Sequence, residues 1–212
     1  GDFKEIKIEN DEIYCGAASS LIKICEEARK NSLTGLEFAY GIPGSAGGAA
    51  YMNAGAYGGE MKDVLVGCKH IAPDGTVGYF EKDQLDLSYR HSVYSDSGYI
   101  ITSLVLKLND GDKSEIEDKM RDLLGRRKDK QPLEYPSAGS VFKRYPGRFT
   151  GQMIEEAGLK GYTIGGAQVS EKHAGFIINI GGATCADVTE LIRQVQEKGI
   201  AVIGQTGRLA PA

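Results

Sequence analysis

Cysteine is sparse in this 212-residue chain and is never paired in sequence. Cys15, Cys25, Cys68 and Cys185 lie far apart, with no Cys-x-x-Cys spacing. That pattern excludes a disulfide framework and reads as free, mostly buried thiols in a reducing compartment, the cytoplasm. Histidine is equally scarce: His70, His91 and His173 are scattered, so no metal site is expected. Long apolar runs are missing too. No stretch approaches the roughly 20 residues of a membrane span, and neither a membrane partner nor a leader peptide is expected. There is no long basic run, and the net charge is −4, which argues against nucleic acid. Arg126-Arg127-Lys128 and Lys143-Arg144 are short local clusters that suit small anions as well as a solvated helix end or turn. Internal repeats and low-complexity tracts are absent. The length suits one large domain or two small ones, enough to bury a proper core.

What is present in excess is glycine. Seven glycines fall within the nineteen residues Gly41-Ile-Pro-Gly-Ser-Ala-Gly-Gly-Ala-Ala-Tyr-Met-Asn-Ala-Gly-Ala-Tyr-Gly-Gly59. Glycine at that density costs backbone entropy, so the fold must use the missing side chains. Either the backbone needs positive φ or something presses against it. The small residues Ala46 to Ala56, with Pro43 ahead, suit a helix whose N-terminal N–H groups would face a phosphate. Tight helix packing without a ligand is the commoner cause of such a run.

Along the chain, residues 3–9 and 12–15 read as strands around an Asn10-Asp11 turn. Ser19 or Ser20 caps a helix to about Asn31, with Leu21, Ile22, Cys25 and Ala28 on one face. Strands at 64–72 and 76–80 flank the turn Pro73-Asp74-Gly75, and another runs over 99–108. Asn109-Asp110-Gly111-Asp112 marks a break. Ser114-Glu-Ile-Glu117 then reads as a capping box for a helix with Ile116, Met120, Leu123 and Leu124 along its stripe. An irregular stretch, 131–150, carries Pro132, Pro136 and Pro146; loops of that length usually do something. A short helix at 151–157, a strand at 175–180 and a helix capped by Thr184-Cys-Ala-Asp187 follow. That last helix carries Val188, Leu191, Ile192 and Val195 on one face, and residues 200–203 suit a final strand. The fold class expected is α+β in two parts, 1–108 and 109–212.

Four segments, in order, carry a resemblance. They are Gly41-Ile-Pro-Gly-Ser45 through Met52-Asn-Ala-Gly-Ala-Tyr-Gly58; Tyr89-Arg-His-Ser92; Arg126-Arg127 through Lys130-Gln-Pro-Leu133 to Pro136-Ser-Ala-Gly-Ser-Val-Phe142; and Ile164-Gly-Gly166 through Val169-Ser-Glu-Lys-His-Ala-Gly-Phe176. Together they closely resemble the UDP-N-acetylenolpyruvoylglucosamine reductase family, in its shorter variant without an extra tyrosine-bearing loop, over roughly residues 1 to 198. The resemblance implies part of an FAD-binding α+β domain of the PCMH/vanillyl-alcohol-oxidase-like type at 1–108, followed by a smaller α+β substrate-binding domain at 109–212. It implies FAD as cofactor, NADPH as reductant, and UDP-N-acetylglucosamine enolpyruvate as the substrate reduced to UDP-N-acetylmuramate in peptidoglycan synthesis. A monomer is expected.

The family's roles transfer to matching positions. Ser140 matches the proton donor; without the resemblance it reads as a turn serine among Pro136, Ser137 and Gly139. A serine donates a proton only where geometry and neighbours assist it. Arg90 matches the active-site arginine, whose planar fork suits the substrate carboxylate and the charge that develops beside it; its plain alternative is a surface salt bridge. Gly41, Pro43, Gly44, Ser45, Gly47, Gly48, Asn53, Gly55 and Gly58 match the flavin-binding region, with Asn53 either bonding the flavin or bracing the loop. Tyr89, Arg127 and Lys143 are candidate substrate contacts, Arg144 could meet phosphate, and His173 is expected to be structural.

The chain also departs from the family. Nothing matches the Gly-Gly-Gly-Ser-Asn type loop of the first flavin subdomain, so the chain is expected to begin partway into the flavin domain. No acidic residue follows Glu197, and no position is assigned to the glutamate of the family's C-terminal strand. Loss of such an electrostatic partner typically costs about two to four kcal/mol of barrier, so low turnover is expected of the sequence as it stands. Two other readings compete. One is a non-catalytic UDP-sugar-binding fragment. The other is an oxidase of the same broad fold, which would often tether its flavin through His or Cys; no such residue stands out.

Overall fold

The computed structural model describes residues 2–144 and 147–203. It falls into two compact units, Gly1–Gly125 and Arg126–Ala212.

The first unit is built on a five-stranded antiparallel sheet. Its strands are β1 (Ile6–Glu9), β2 (Glu12–Gly16), β6 (Leu65–Ile71), β7 (Val77–Glu81) and β8 (Ile100–Lys107), in the order β1-β2-β8-β6-β7. Between β2 and β6 run helix α1 (Leu21–Lys30), the two-residue strand β3 (Leu33–Thr34), helix α2 (Ala46–Tyr51), the small hairpin β4 (Gly55–Ala56) and β5 (Gly59–Glu60), and the helical turn α3 (Met61–Val64). The period-two alternation of the strands sends Ile13, Cys15, Leu104, Leu106, Leu65 and Cys68 to one face, where they form one core with Leu21, Ile24 and Cys25 of α1 and Ala46 and Ala50 of α2. Register is set through Leu104, which sits opposite Cys15 on one side and Cys68 on the other. Three cysteines are buried and Cys185 is exposed, all of them free. In α1 the buried positions are Leu21, Ile24, Cys25 and Ala28, so Ile24 rather than Ile22 completes the stripe.

Strand β9 (Asn109–Asp110) pairs with β3 and leads into the long helix α4 (Lys113–Lys130). The expected boundary near Asn109 falls ahead of this helix, whereas the compact units divide inside it. The reason is packing: Ile116 and Met120 belong to the first unit's core, and Arg29 of α1 reaches Glu117 at 3.2 Å. The cap differs from expectation as well. Asp112, not Ser114, starts α4, because its carboxylate accepts from the N–H groups of Ser114 (2.8 Å) and Glu115 (3.0 Å) and so satisfies two orphan donors at once.

The second unit has a four-stranded antiparallel sheet ordered β10-β13-β12-β11: β10 (Ser137–Ser140), β11 (Thr163–Ile164), β12 (Ala167–Val169) and β13 (Phe176–Asn179). Helices α5 (Thr150–Glu156) and α6 (Cys185–Ile203) contribute Met153, Ile154, Leu191 and Val195 to a core with Phe142, Ala167, Val169 and Ile177. The cap of α6 is reciprocal, as its sequence requires: Asp187 Oδ2 accepts from the Thr184 N–H at 2.9 Å, and Thr184 Oγ1 from the Asp187 N–H at 3.1 Å. Two expectations are corrected. The stretch 131–150 contains the strand β10. Residues 200–203 continue α6 instead of forming a strand, since a short apolar run fits either state and length decides. The tail 204–212, where no glutamate position could be assigned, lies outside the described residues. No described helix is long and apolar enough to cross a membrane.

A buried carboxylate holds α4 to its unit. Glu37, 3% exposed, accepts from Thr34 Oγ1 (2.7 Å), the Gly35 N–H (3.1 Å) and Lys119 Nζ (3.2 Å). Burial alone would raise its pKa, but these donors outweigh burial and hold it below the ordinary carboxylate value. A group with a depressed folded pKa stabilises above its unfolded value, near 4.3, and loses that contribution as pH falls through the folded one. Glu37→Gln should therefore cost about 2 kcal/mol at pH 7. Denaturant titrations of both proteins should converge as pH drops below about 4; a pH-independent gap would refute the assignment.

Candidate functional site

The glycine-rich segment folds into a turn, a short helix and a hairpin. Gly41 turns the chain with φ of 87°, Pro43 and Gly44 are exposed, and Ser45 caps α2 by accepting from the Gly48 N–H at 3.2 Å. The helix N-terminus does not offer its first N–H groups to a ligand, as the sequence suggested. Ala46 N–H donates to Ser19 O (2.9 Å) and Gly47 N–H to Ala17 O (2.8 Å), so with Gly48 bound to Ser45 all three are spent. The N–H groups of Gly44 and Ser45, ahead of the helix, have no partner among the described residues.

The glycines divide by cause. At Gly47 a Cβ would lie 2.8 Å from Ala17 Cβ, so the helix could not approach the loop after β2. Tyr57 (φ 52°) and Gly58 (φ 89°) both take positive φ in the two-residue turn joining β4 to β5, the type I′ geometry that suits a hairpin. Gly55 presses against Gly59 O and Glu60. Gly48 is different: it is an exposed helical glycine, and a Cβ there would meet only Ser45 Oγ, at an ordinary 3.4 Å.

Gly48 lines a groove of about 520 Å³ with Ser45, Gly47 and Tyr51 of the α2 region, Ala17 and Ala18 after β2, and Tyr99, Ile100 and Ile101 at the start of β8. Its walls are largely apolar, and Ser45 is among the residues that line it. Such a groove fits a flat aromatic group carrying an anion, the chemistry of a flavin nucleotide. Ala17, Ala18, Tyr51 and the β8 residues went unnoticed in the sequence, because nothing local marks residues that only the sheet brings to α2.

A second constellation of the first unit lies around Asn53. Its side chain is fully buried. The amide nitrogen donates to Glu60 Oε2 and to Ser88 O, both at 2.9 Å, and Oδ1 accepts from the Lys62 N–H at 2.9 Å. Both amide donors are thus used within the protein, where they tie the hairpin to the Ser88 turn. Tyr89 and Arg90 form the turn between the bridged residues Ser88 and His91, with Arg90 at φ of 53°. Arg90 folds back to donate to Asn53 O (3.2 Å) and Gly55 O (2.7 Å), with its guanidinium 5.0 Å from the Tyr89 ring centre. Glu60 also meets Lys62 Nζ at 3.0 Å. Lys62 is the main cause of its lowered pKa and outweighs the opposing cost of burial; Asn53 and the charge of Arg90 add to the lowering.

The second unit holds Ser140, Arg127 and Lys143. Ser140 ends the edge strand β10, opposite Phe176, and the register slips between it and Ser137 around Gly139 at φ of 92°. Ser140 is exposed at this strand end. The neighbouring chain is fixed by His173. Its Nδ1 accepts from the Gly175 N–H at 3.1 Å, and its ring packs edge-on to Phe176 at 4.9 Å. Burial, joined by the charge of Lys160, lowers its pKa, which keeps the ring neutral and suited to that structural bond. Lys143 accepts from Thr150 Oγ1 through its carbonyl at 2.7 Å. Arg127 is buried and engaged within the fold, and Arg144 lies against the Phe149 ring at 5.2 Å. Among the described residues no group of His, Cys, Asp and Glu could hold a metal ion.

Gly47→Ala and Gly48→Ala should separate packing from ligand contact. The first should destabilise by about 1–3 kcal/mol. The second should stabilise by up to about 1 kcal/mol while weakening flavin binding roughly ten-fold. Thermal melts with and without FAD read both effects; unchanged FAD affinity in Gly48→Ala would remove this residue from the cofactor wall.

Two known domain families match separate stretches of the chain. Residues 2–78 match the FAD binding domain family, and residues 131–204 match the family described as UDP-N-acetylenolpyruvoylglucosamine reductase, C-terminal domain. The UDP-N-acetylenolpyruvoylglucosamine reductase of Clostridium botulinum is 53% identical over 194 residues, covering 92% of this chain and 63% of that protein. That of Agathobacter rectalis is 54% identical over 185 residues, covering 87% and 59%. The crystal structure of the UDP-N-acetylenolpyruvylglucosamine reductase from Thermus caldophilus superposes with a TM-score of 0.83 at 38% identity, covering 93% of this chain and 71% of that one. The chain therefore spans less than two thirds of the curated relatives it matches. With that identity, that superposition and the motif order, the chain belongs to the UDP-N-acetylenolpyruvoylglucosamine reductase family.

Proposed function

We propose that the chain binds FAD in the groove beside α2 and carries substrate-facing residues for the NADPH-driven reduction of UDP-N-acetylglucosamine enolpyruvate to UDP-N-acetylmuramate, a step of peptidoglycan synthesis. It acts as a monomer in the cytoplasm, with no nucleic-acid or membrane partner. The observation that carries the reading is Arg90. Its guanidinium spends two N–H groups on the carbonyls of Asn53 and Gly55, which fixes its plane and leaves the other N–H groups of the fork for a carboxylate.

When bound, FAD would supply hydride chemistry, with NADPH as the reductant. The groove residues Ser45 and Gly48 and the N–H of Gly44 would hold the cofactor, with Gly41, Gly47, Gly55 and Gly58 shaping the segment and Pro43 stiffening its entry. Addition of hydride to one carbon of the double bond leaves negative charge on the carbon next to the carboxylate. Arg90 stabilises that charge through the carboxylate, and its worth rises as the charge develops. The Ser140 hydroxyl gives its proton to the charged carbon, which completes reduction of the double bond. The exposed serine then recovers a proton from solvent. Tyr89 and Lys143 contact the nucleotide-sugar. Arg127, being buried, supports the substrate side through the fold of α4.

An absorbance and fluorescence titration with FAD tests the cofactor, and NADPH oxidation with the enolpyruvyl substrate tests the reaction. Saturable FAD binding is expected; its absence would refute the groove assignment. Ser140→Ala should lower kcat about 10²- to 10⁴-fold with FAD affinity unchanged. A normal rate in this variant would overturn the proton-donor role. Sugar binding without turnover in the unsubstituted chain would favour a non-catalytic binding module.

A further inference from the structure

We propose that Glu60 is a positioning residue for Arg90, acting through Asn53, and that the chain thereby tunes its recognition of the substrate's carboxylate. The inference rests on the reading of Arg90 given above.

Arg90 is aimed by two backbone carbonyls, those of Asn53 and Gly55, at 3.2 and 2.7 Å. Asn53 has a positive φ of 41°, a strained state for a residue with a side chain that must be held from outside. Its buried amide supplies the hold. One donor goes to Glu60 Oε2 and the other to Ser88 O, in the very turn that carries Arg90, and Oδ1 takes the Lys62 N–H. Gly55 is tied to the same carboxylate residue from the other side, since β4 pairs with β5 in the register Gly55 to Glu60.

Glu60 in turn is locked. Its N–H donates to Asp63 Oδ2 at 2.8 Å at the start of α3, and its carboxylate forms an ion pair with Lys62 at 3.0 Å. The Asn53 carbonyl that orients Arg90 thus depends on one partly buried carboxylate, while the Gly55 carbonyl is held by the backbone pairing of that same residue. A glutamine in its place could turn its oxygen toward Asn53 and Lys62, which share Oε2, but it would lose the charge that strengthens both bonds. The fork would lose its fixed plane while keeping its charge. A misaligned fork loses bidentate geometry, not attraction in general, so the loss should appear only with ligands bearing the carboxylate.

The test is calorimetric binding to the full chain loaded with FAD, using UDP-N-acetylglucosamine enolpyruvate and, as a ligand without the carboxylate, UDP-N-acetylglucosamine. Glu60→Gln should weaken the first roughly ten-fold and leave the second unchanged. Combined with Arg90→Lys it should weaken binding no further than Arg90→Lys alone, because the two act as one unit. Equal losses for both ligands, or additive losses in the double variant, would overturn the proposal. If Arg90→Lys itself fails to alter the preference between the two ligands, the reading of Arg90 falls first. If it does alter it and Glu60→Gln does not, only the role of Glu60 falls. A ligand-free measurement decides the matter where neither sugar binds: in nuclear magnetic resonance the Arg90 Nη signals should be separate in the native chain and merged by rotation in Glu60→Gln. Retained separation would overturn the proposal.

Discussion

The first unit's chemistry depends on one buried amide. Asn53 is wholly enclosed, and an enclosed amide left unbonded would cost several kcal/mol. The fold meets that demand by bringing three segments to it: the hairpin residue Glu60, the start of α3 at Lys62, and the turn at Ser88. None of these could move without breaking a bond that water cannot replace. The arginine turn is therefore rigid for a reason that lies beneath it, and Arg90 inherits that rigidity through two carbonyl groups. An arginine on a bare loop would carry the same charge but would lose side-chain entropy on binding.

The glycine density that dominates the sequence has several causes. Gly47 lets α2 touch the loop after β2, Gly58 permits a hairpin turn, and Gly55 admits its own partner strand. These are steric reasons, and they would exist in a protein that binds nothing. Gly48 has no such reason, and Gly44 meets nothing within 4 Å where a side chain would stand. On the proposed reading ligand contact falls at these few positions, within a segment whose other glycines build the scaffold. The helix dipole plays a small part, since α2 is short and its first N–H groups are already bonded inside the protein.

Much of the architecture was legible in sequence because its signals are local. The turns Asn10-Asp11 and Pro73-Asp74-Gly75, the apolar stripe of α4 and the reciprocal cap at Thr184 and Asp187 each declare themselves within a few residues. What was not legible depends on distant partners. Strand β10, Ser-Ala-Gly-Ser, has no β-branched or aromatic residue and exists because β13 pairs with it. Asp112 outcompetes Ser114 as a cap only once the chain's path into α4 is known. Nothing local marks Glu60, whose contacts involve Asn53 seven residues earlier and, through its amide, Ser88 far beyond. The motif order, by contrast, pointed to the family at once, since it requires no knowledge of contacts.

Ser140 shows how the two kinds of information combine. Its setting contains no device that would make a serine strongly acidic. His173, the nearby imidazole, is neutral and spends Nδ1 on the Gly175 N–H. A carbanion beside a carboxylate is a strong base, so the proton acceptor supplies the driving force and the donor needs only placement. Placement is what the bulged edge strand and the fixed 173–175 turn provide. In the proposed reaction the cost lies in forming the charge, and that is the step an oriented guanidinium would relieve. The proposed roles divide labour: an arginine must be held firmly because its benefit depends on direction, whereas a serine that only returns a proton can be an ordinary one on an exposed strand end.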